Sequence, residues 1–271
     1  MNVRRYMEWL TEMAVPLIIF CVSQMVCTVI VGAVTMLMSG IQLSSWIDGN
    51  VSGDVTMRVM CMAMMLSSVV TIALVVWWKH VRGHSVRHEL IATTDVKSAL
   101  LMIVAVVLGM FAGDVLSEML ALDDNMEAQF TGMSQSLTGI LSMAVLGPVA
   151  EEVVFRGAIL RGLMHRGVGM WPAILVSALL FGLIHLNPAQ IPFAFIAGVM
   201  FGVVYVRHGI LIPIICHVIN NSTAVVLMRL CADRPDMSWS GMLGGTVPSL
   251  IVAMVSAVVC VLLMRRCWQR Q

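Results

Sequence analysis

Charge is scarce in this sequence. Asp, Glu, Lys and Arg make up 11% of its 271 residues, against roughly 25% in an ordinary soluble domain. The formal net charge is +1, so no basic field exists to hold the phosphates of a nucleic acid, and a nucleic-acid partner is excluded. Cysteine is uninformative. The seven cysteines (Cys21, Cys27, Cys61, Cys216, Cys231, Cys260, Cys267) are odd in number, lie mostly within apolar runs, and show neither metal-ligand spacing nor a disulfide framework. No internal repeat is visible, which removes the support an inverted-repeat transporter would need. What the chain has instead is apolar surface, 59% of its residues, with a mean hydropathy of +0.94. That excess excludes a water-soluble globule and a disordered chain. The 25 methionines read as soft packing residues.

A bilayer span takes about 20 apolar residues. The apolar runs predict an all-α, polytopic transmembrane bundle of about eight spans, near 14–38, 56–78, 99–119, 138–160, 170–186, 191–206, 210–230 and 246–264. The first run is too long for a signal peptide and no small-residue cleavage site follows it, so it reads as a permanent anchor. Loop charge gives the orientation. Arg4 and Arg5 precede the first span; Lys79, Arg82, Arg87 and Lys97 fall between the second and third; Arg161 and Arg166 follow the fourth, Arg207 the sixth, and Arg265, Arg266 and Arg270 the last. The alternate loops carry Asp48, Asp54, Asp123, Asp124, Glu127, Asp233 and Asp236, with Arg234 as an exception. Positive charge stays inside, so the expectation is an integral multi-pass protein of a bacterial plasma membrane with both termini cytoplasmic. The seven tryptophans, with Tyr6 and Tyr205, fall at or just beyond span ends, as interfacial aromatics do. Three regions result: 1–137, helices without a recognised motif; 138–230, a polar-rich core; and 231–271, an outward loop, the last span and a basic tail.

The fourth span holds charge where lipid forbids it. Glu151, Glu152 and Arg156 lie within Pro148-Val-Ala-Glu-Glu-Val-Val-Phe-Arg-Gly, and such groups face a bundle interior or a wet cavity. Glu152 and Arg156 are four apart, on one helix face and within salt-bridge reach. Glu151 points about 100° away and has no cationic partner in its own helix. This separates a positioning acid from a proton-transferring one. The fifth span ends in Phe181-Gly-Leu-Ile-His185, and the seventh carries His217-Val-Ile-Asn220-Asn221, with His217 and Asn221 on one face. A carboxylate, a histidine and a pair of donors on three helices are the parts needed to activate water and hold an oxyanion.

At these residues the sequence resembles the CAAX protease and bacteriocin-processing family of membrane proteases, which includes the type II CAAX prenyl endopeptidases. The family pattern is Glu-Glu-x-x-x-Arg, Phe-x-x-x-His and His-x-x-x-Asn. All three occur here in order, over about residues 138–225. The resemblance implies an all-helical multi-pass fold and an intramembrane endopeptidase acting on a membrane-associated peptide or protein. It makes Glu151 and His185 the pair that activates water, His217 and Asn221 the oxyanion-binding pair, and Glu152 and Arg156 supporting residues. No cofactor is expected. There is no His-Glu-x-x-His, yet Glu151, His185 and His217 could together supply three ligands to zinc. Two other readings stay open: a proton-coupled transporter using Glu151, Glu152, His185 and His217 as a relay, and a non-catalytic membrane protein of bacteriocin-immunity type.

One placement fits badly. On linear counting Glu151 and Asn221 sit near mid-span, whereas His185 sits at the outward end of the fifth span. Either that span starts later and its end folds inward, or Asn187–Pro192 re-enters the membrane. Elsewhere, Gly198 and Gly202 form a small-xxx-small pair for close packing. Asp114 and Glu118 are expected at the outward interface, His80, His84 and His88 on a solvated basic face, and Arg229 snorkelling at a span end.

Overall fold

The structure, a computed structural model, describes residues 3–82, 95–231 and 238–269. His84 and His88 therefore lie outside the described residues. The described residues are helical, with no strand among them. In chain order the helices are α1 (Val3–Ser39), α2 (Leu43–Ile47), α3 (Gly53–Val81), α4 (Val96–Leu120), α5 (Glu127–Ser134), α6 (Leu137–His165), α7 (Met170–Leu183), α8 (Gln190–His208), α9 (Leu211–Cys231), α10 (Trp239–Met242) and α11 (Thr246–Gln269). Seven of them are long and apolar enough to cross a membrane; α7, with 14 residues, is a shorter apolar helix. The eight expected spans correspond to these eight helices.

Side-chain caps set several helix starts. Ser52 accepts from the Val55 amide, Asp95 from the amides of Lys97 and Ser98, and Ser136 from the Gly139 amide, each satisfying donors that a helix N-terminus leaves open. Gly209, at φ 74°, ends α8 and lets the chain reverse into α9.

Helix α6 is not a regular α-helix. It is π-helical over Ser142–Leu146 and again over Val153–Leu160, on either side of the α-helical segment Gly147–Glu152. A π-segment bonds i→i+5 and leaves carbonyl groups short of a regular partner, and hydrocarbon offers none. Neighbouring helices supply them. Asn221 of α9 donates to the Met143 carbonyl at 3.0 Å, Ser177 of α7 to the Phe155 carbonyl at 2.8 Å, and Lys79 of α3 to the Gly157 carbonyl at 2.7 Å. This corrects the placement of Lys79 as a loop charge: α3 continues to Val81, and Lys79 is only 4% exposed.

One end of the bundle is tied by charge. Glu12 of α1, 1% exposed, takes Arg82 at 2.8 Å and Arg166 at 3.1 Å; Arg166 also reaches Glu8, and Trp9 donates to the Arg166 carbonyl. The start of α1 and the ends of α3 and α6 therefore meet, and Cys267 joins the end of α11 to the start of α4 through the Ser98 carbonyl. At the other end Glu118 accepts from the backbone amides of Trp239 and Ser240 and from the Ser240 hydroxyl, so it caps α10 rather than standing free in water. Arg229 donates to the Ser134 carbonyl there. Close packing of α7 on α8 depends on glycine. A Cβ on Gly198 would lie 2.9 Å from the Ala178 backbone, and one on Gly202 would lie 2.9 Å from Ile174.

Candidate functional site

Glu152 and Arg156 form the expected pair at 2.8 Å, with both side chains fully buried. Arg156 has further contacts, although its Nε finds no hydrogen-bond partner among the described residues. It also donates to the Gly198 carbonyl at 3.1 Å, and its guanidinium lies 4.5 Å from the Phe181 ring and 5.1 Å from the Phe201 ring. Two aromatic faces and a fixed carbonyl compensate a buried cation that a carboxylate alone would leave under-solvated.

His217 of α9 stands between the two glutamates. Its Nδ1 is 3.0 Å from Glu152 Oε1 and its Nε2 is 3.6 Å from Glu151 Oε2. Each ring nitrogen thus faces a carboxylate oxygen, and each donates when it carries the proton. Phe201 stacks on the imidazole at 4.8 Å between centroids, and Phe181 meets it edge-on at 5.6 Å. These contacts fix the ring plane.

Glu151 differs from its neighbour as the helical spacing predicts. Its side chain keeps 17% exposure where Glu152 has none, and it lines a cavity of about 220 Å³. His185, His217, Asn220 and Asn221 line the same cavity. His185 lies just past the end of α7, where its Nδ1 is 2.8 Å from the Phe181 carbonyl and its ring stands edge-on to Phe181 at 5.1 Å. No hydrogen bond or ion pair joins it directly to Glu151; the two share the cavity. Asn221 uses one amide hydrogen on the Met143 carbonyl, and its carbonyl oxygen accepts from Asn220 at 3.2 Å. The second hydrogen of its amide group remains for the cavity.

The misplaced depth of His185 has a plain cause. Helix α7 begins at Met170 as expected but ends at Leu183, so it rises only about 21 Å at 1.5 Å per residue. A hydrocarbon layer of about 30 Å is taller than that. The turn to α8 carries His185, which lines the same cavity as Glu151. Leu186, at φ 52°, makes the reversal, and Asn187, fully buried, donates to Asp124 at 2.7 Å and accepts from the Ala189 amide.

Sequence reasoning missed the α8 wall of the cavity. Gln190, Phe193, Ala197 and Phe201 all line it, and the four-residue spacing of the last three put them on one helix face. Asn220 was seen within its motif but given no role. The remaining wall is apolar and includes Met64, Phe130, Met143 and Met228.

Residues 133–223 match the family model for Rce1-like type II CAAX prenyl endopeptidases. The Rce1-like stretch contains all three motifs and runs from α5 into α9. No curated protein and no solved structure matches the chain. The Rce1-like match supports a membrane-embedded hydrolase of the CAAX-protease kind, working at the lipid bilayer on a membrane-associated substrate.

For zinc, the test is the donor set. Among the described residues no three His, Cys, Asp or Glu side chains group closely enough to hold a metal ion. His185 and His217 each turn Nδ1 to an oxygen, of the Phe181 carbonyl and of Glu152, as histidines do whether or not the other ring nitrogen takes a metal.

Proposed function

We propose that the chain is an intramembrane endopeptidase in which Glu151, with His185, takes a proton from water for attack on a peptide carbonyl. One observation carries this reading. Glu151 from α6, His185 from the α7–α8 turn, and His217 and Asn221 from α9 converge on a single cavity. The water oxygen bonds to the carbonyl carbon while its proton passes to Glu151. His217 and Asn221 face the oxygen where negative charge develops. The tetrahedral species then collapses, the C–N bond breaks, and Glu151 returns the proton to the leaving amine. Glu152 and Arg156 hold His217 in place from the sealed side and do not touch the substrate. The reaction is proposed to run without a metal.

The test compares the membrane proteomes of cells carrying the parent protein, Glu151→Ala and His185→Ala. A cleavage product present with the parent is expected to vanish with both variants while their membrane levels match the parent's. Full cleavage by either variant overturns the assignment. Proton-coupled uptake into vesicles with no proteolysis returns the transporter reading, and an unchanged biological phenotype in both variants returns the non-catalytic one. Purified protein is expected to keep its activity in a chelator; loss that zinc restores would overturn the metal-free mechanism.

A further inference from the structure

The proposed active site is closed toward one end of the bundle and open toward the other. On the closed side Glu151 is backed by the fully buried Glu152–Arg156 pair. One turn further along α6, Phe155 packs edge-on to Phe181 and to Phe20. Beyond it Lys79 closes on the Gly157 carbonyl, and Glu12 clamps Arg82 and Arg166. No cavity-lining residue comes from this end.

The outermost lining residues all lie at the opposite end. Phe130 belongs to the short helix α5, Gln190 is the first residue of α8, and Met228 is in the last turn of α9. The turn carrying His185 is tied to the same side by the Asn187–Asp124 bond.

The two ends differ in charge as well as in packing. The closed end carries Arg4, Arg5, Arg82, Lys97, Arg166 and Arg207 against Glu8, Glu12 and Asp95; the open end carries Asp48, Asp54, Asp123, Asp124 and Glu127 against Arg58 and Arg229. Short loops rich in Lys and Arg remain in the cytoplasm. We infer that the cavity takes its substrate from the non-cytoplasmic face of the membrane, and that the substrate is an unwound polypeptide segment exposed on that face. This rests on the endopeptidase reading above. The segment is unwound because a helix keeps its carbonyl groups in its own hydrogen bonds, away from Glu151. The apolar wall of Met64, Met143 and Ala197 beside the polar groups receives an apolar side chain next to the scissile bond.

The experiment reads access without catalysis. Met228→Cys and Gln190→Cys at the mouth, and Arg5→Cys at the closed end, are made in the full-length protein. Each is treated with a membrane-impermeant maleimide in right-side-out and in inverted membrane vesicles. Each is scored against its own labelling by a permeant maleimide, with the parent chain as background. The mouth cysteines are expected to label only in right-side-out vesicles, and Arg5→Cys only in inverted ones. Mouth cysteines that label in inverted vesicles, or in neither preparation, overturn the inference. Failure of the endopeptidase reading has a different signature: mouth labelling as expected, with no product lost in Glu151→Ala. Where product is lost, the cut is expected in a non-cytoplasmic segment of the substrate, and a cytoplasmic cut overturns the inference too.

Discussion

Two adjacent glutamates on one helix have opposite surroundings, and substitution should separate them. Glu151→Gln removes a carboxylate that faces the cavity and holds no buried cation. It is expected to abolish cleavage while thermal unfolding in detergent stays close to the parent's. Glu152→Gln instead strands Arg156, which has no solvent exposure. Breaking a buried pair by removing one partner costs about 3–5 kcal/mol, so this variant is expected to show a marked drop in unfolding temperature and low yield. Equal stability of the two variants would contradict the division of labour. Asn221→Ala removes a cavity-facing donor and also the partner of the Met143 carbonyl. Loss of one oxyanion donor costs about 10²–10³ in kcat; the expected result is a fall in kcat of that order with KM little changed, and kcat within a factor of a few of the parent would dismiss the role. The Glu152–Arg156 contact was legible in the sequence because four residues is one helical turn. The His217 contacts were not, because they join helices 65 residues apart in sequence, and nothing local encodes which face of α9 meets which face of α6.

The elements show where that legibility stops. All eight membrane helices could be drawn from apolar runs, because hydrophobic length is a property of composition. The π-segments of α6 could not, since an apolar stretch reads the same whether it winds i→i+4 or i→i+5. Their signature lies elsewhere in the chain, in the polar side chains that meet their carbonyl groups: Lys79 in α3, Ser177 in α7 and Asn221 in α9. Lys79→Met tests this. It leaves the Gly157 carbonyl without its buried donor, and an unsatisfied buried acceptor costs about 1–3 kcal/mol. The expected outcome is a lower unfolding temperature in detergent, and an unchanged one would show that the carbonyl finds another partner. The length of α7 was likewise overdrawn by three residues. His185 itself is apart from the helix, and the turn beyond it is tied to a distant loop by the hydrogen bond of Asn187 to Asp124, 63 residues away in sequence.

At the scale of the molecule, charge separates the two ends. A fluorescent reporter joined after Gln271 is expected to mature, as it does only in the cytoplasm, and a periplasmic phosphatase inserted at Asp48 is expected to be active; the reverse pair of results would invert the orientation. The molecule also has uneven height. Where α7 faces outward, through Leu175, Leu179 and Leu183, its apolar column is about 9 Å shorter than a hydrocarbon layer of about 30 Å. Lipids beside it must compress or tilt to keep the α7–α8 turn out of oil, at fractions of a kcal/mol per Å of mismatch. Acyl-chain length is thus a control on this site. Reconstituted in short-chain lipids the turn meets water without distortion of the bilayer, while long chains bury it, so turnover is expected to fall as the host lipid lengthens even though no atom of the active site has changed.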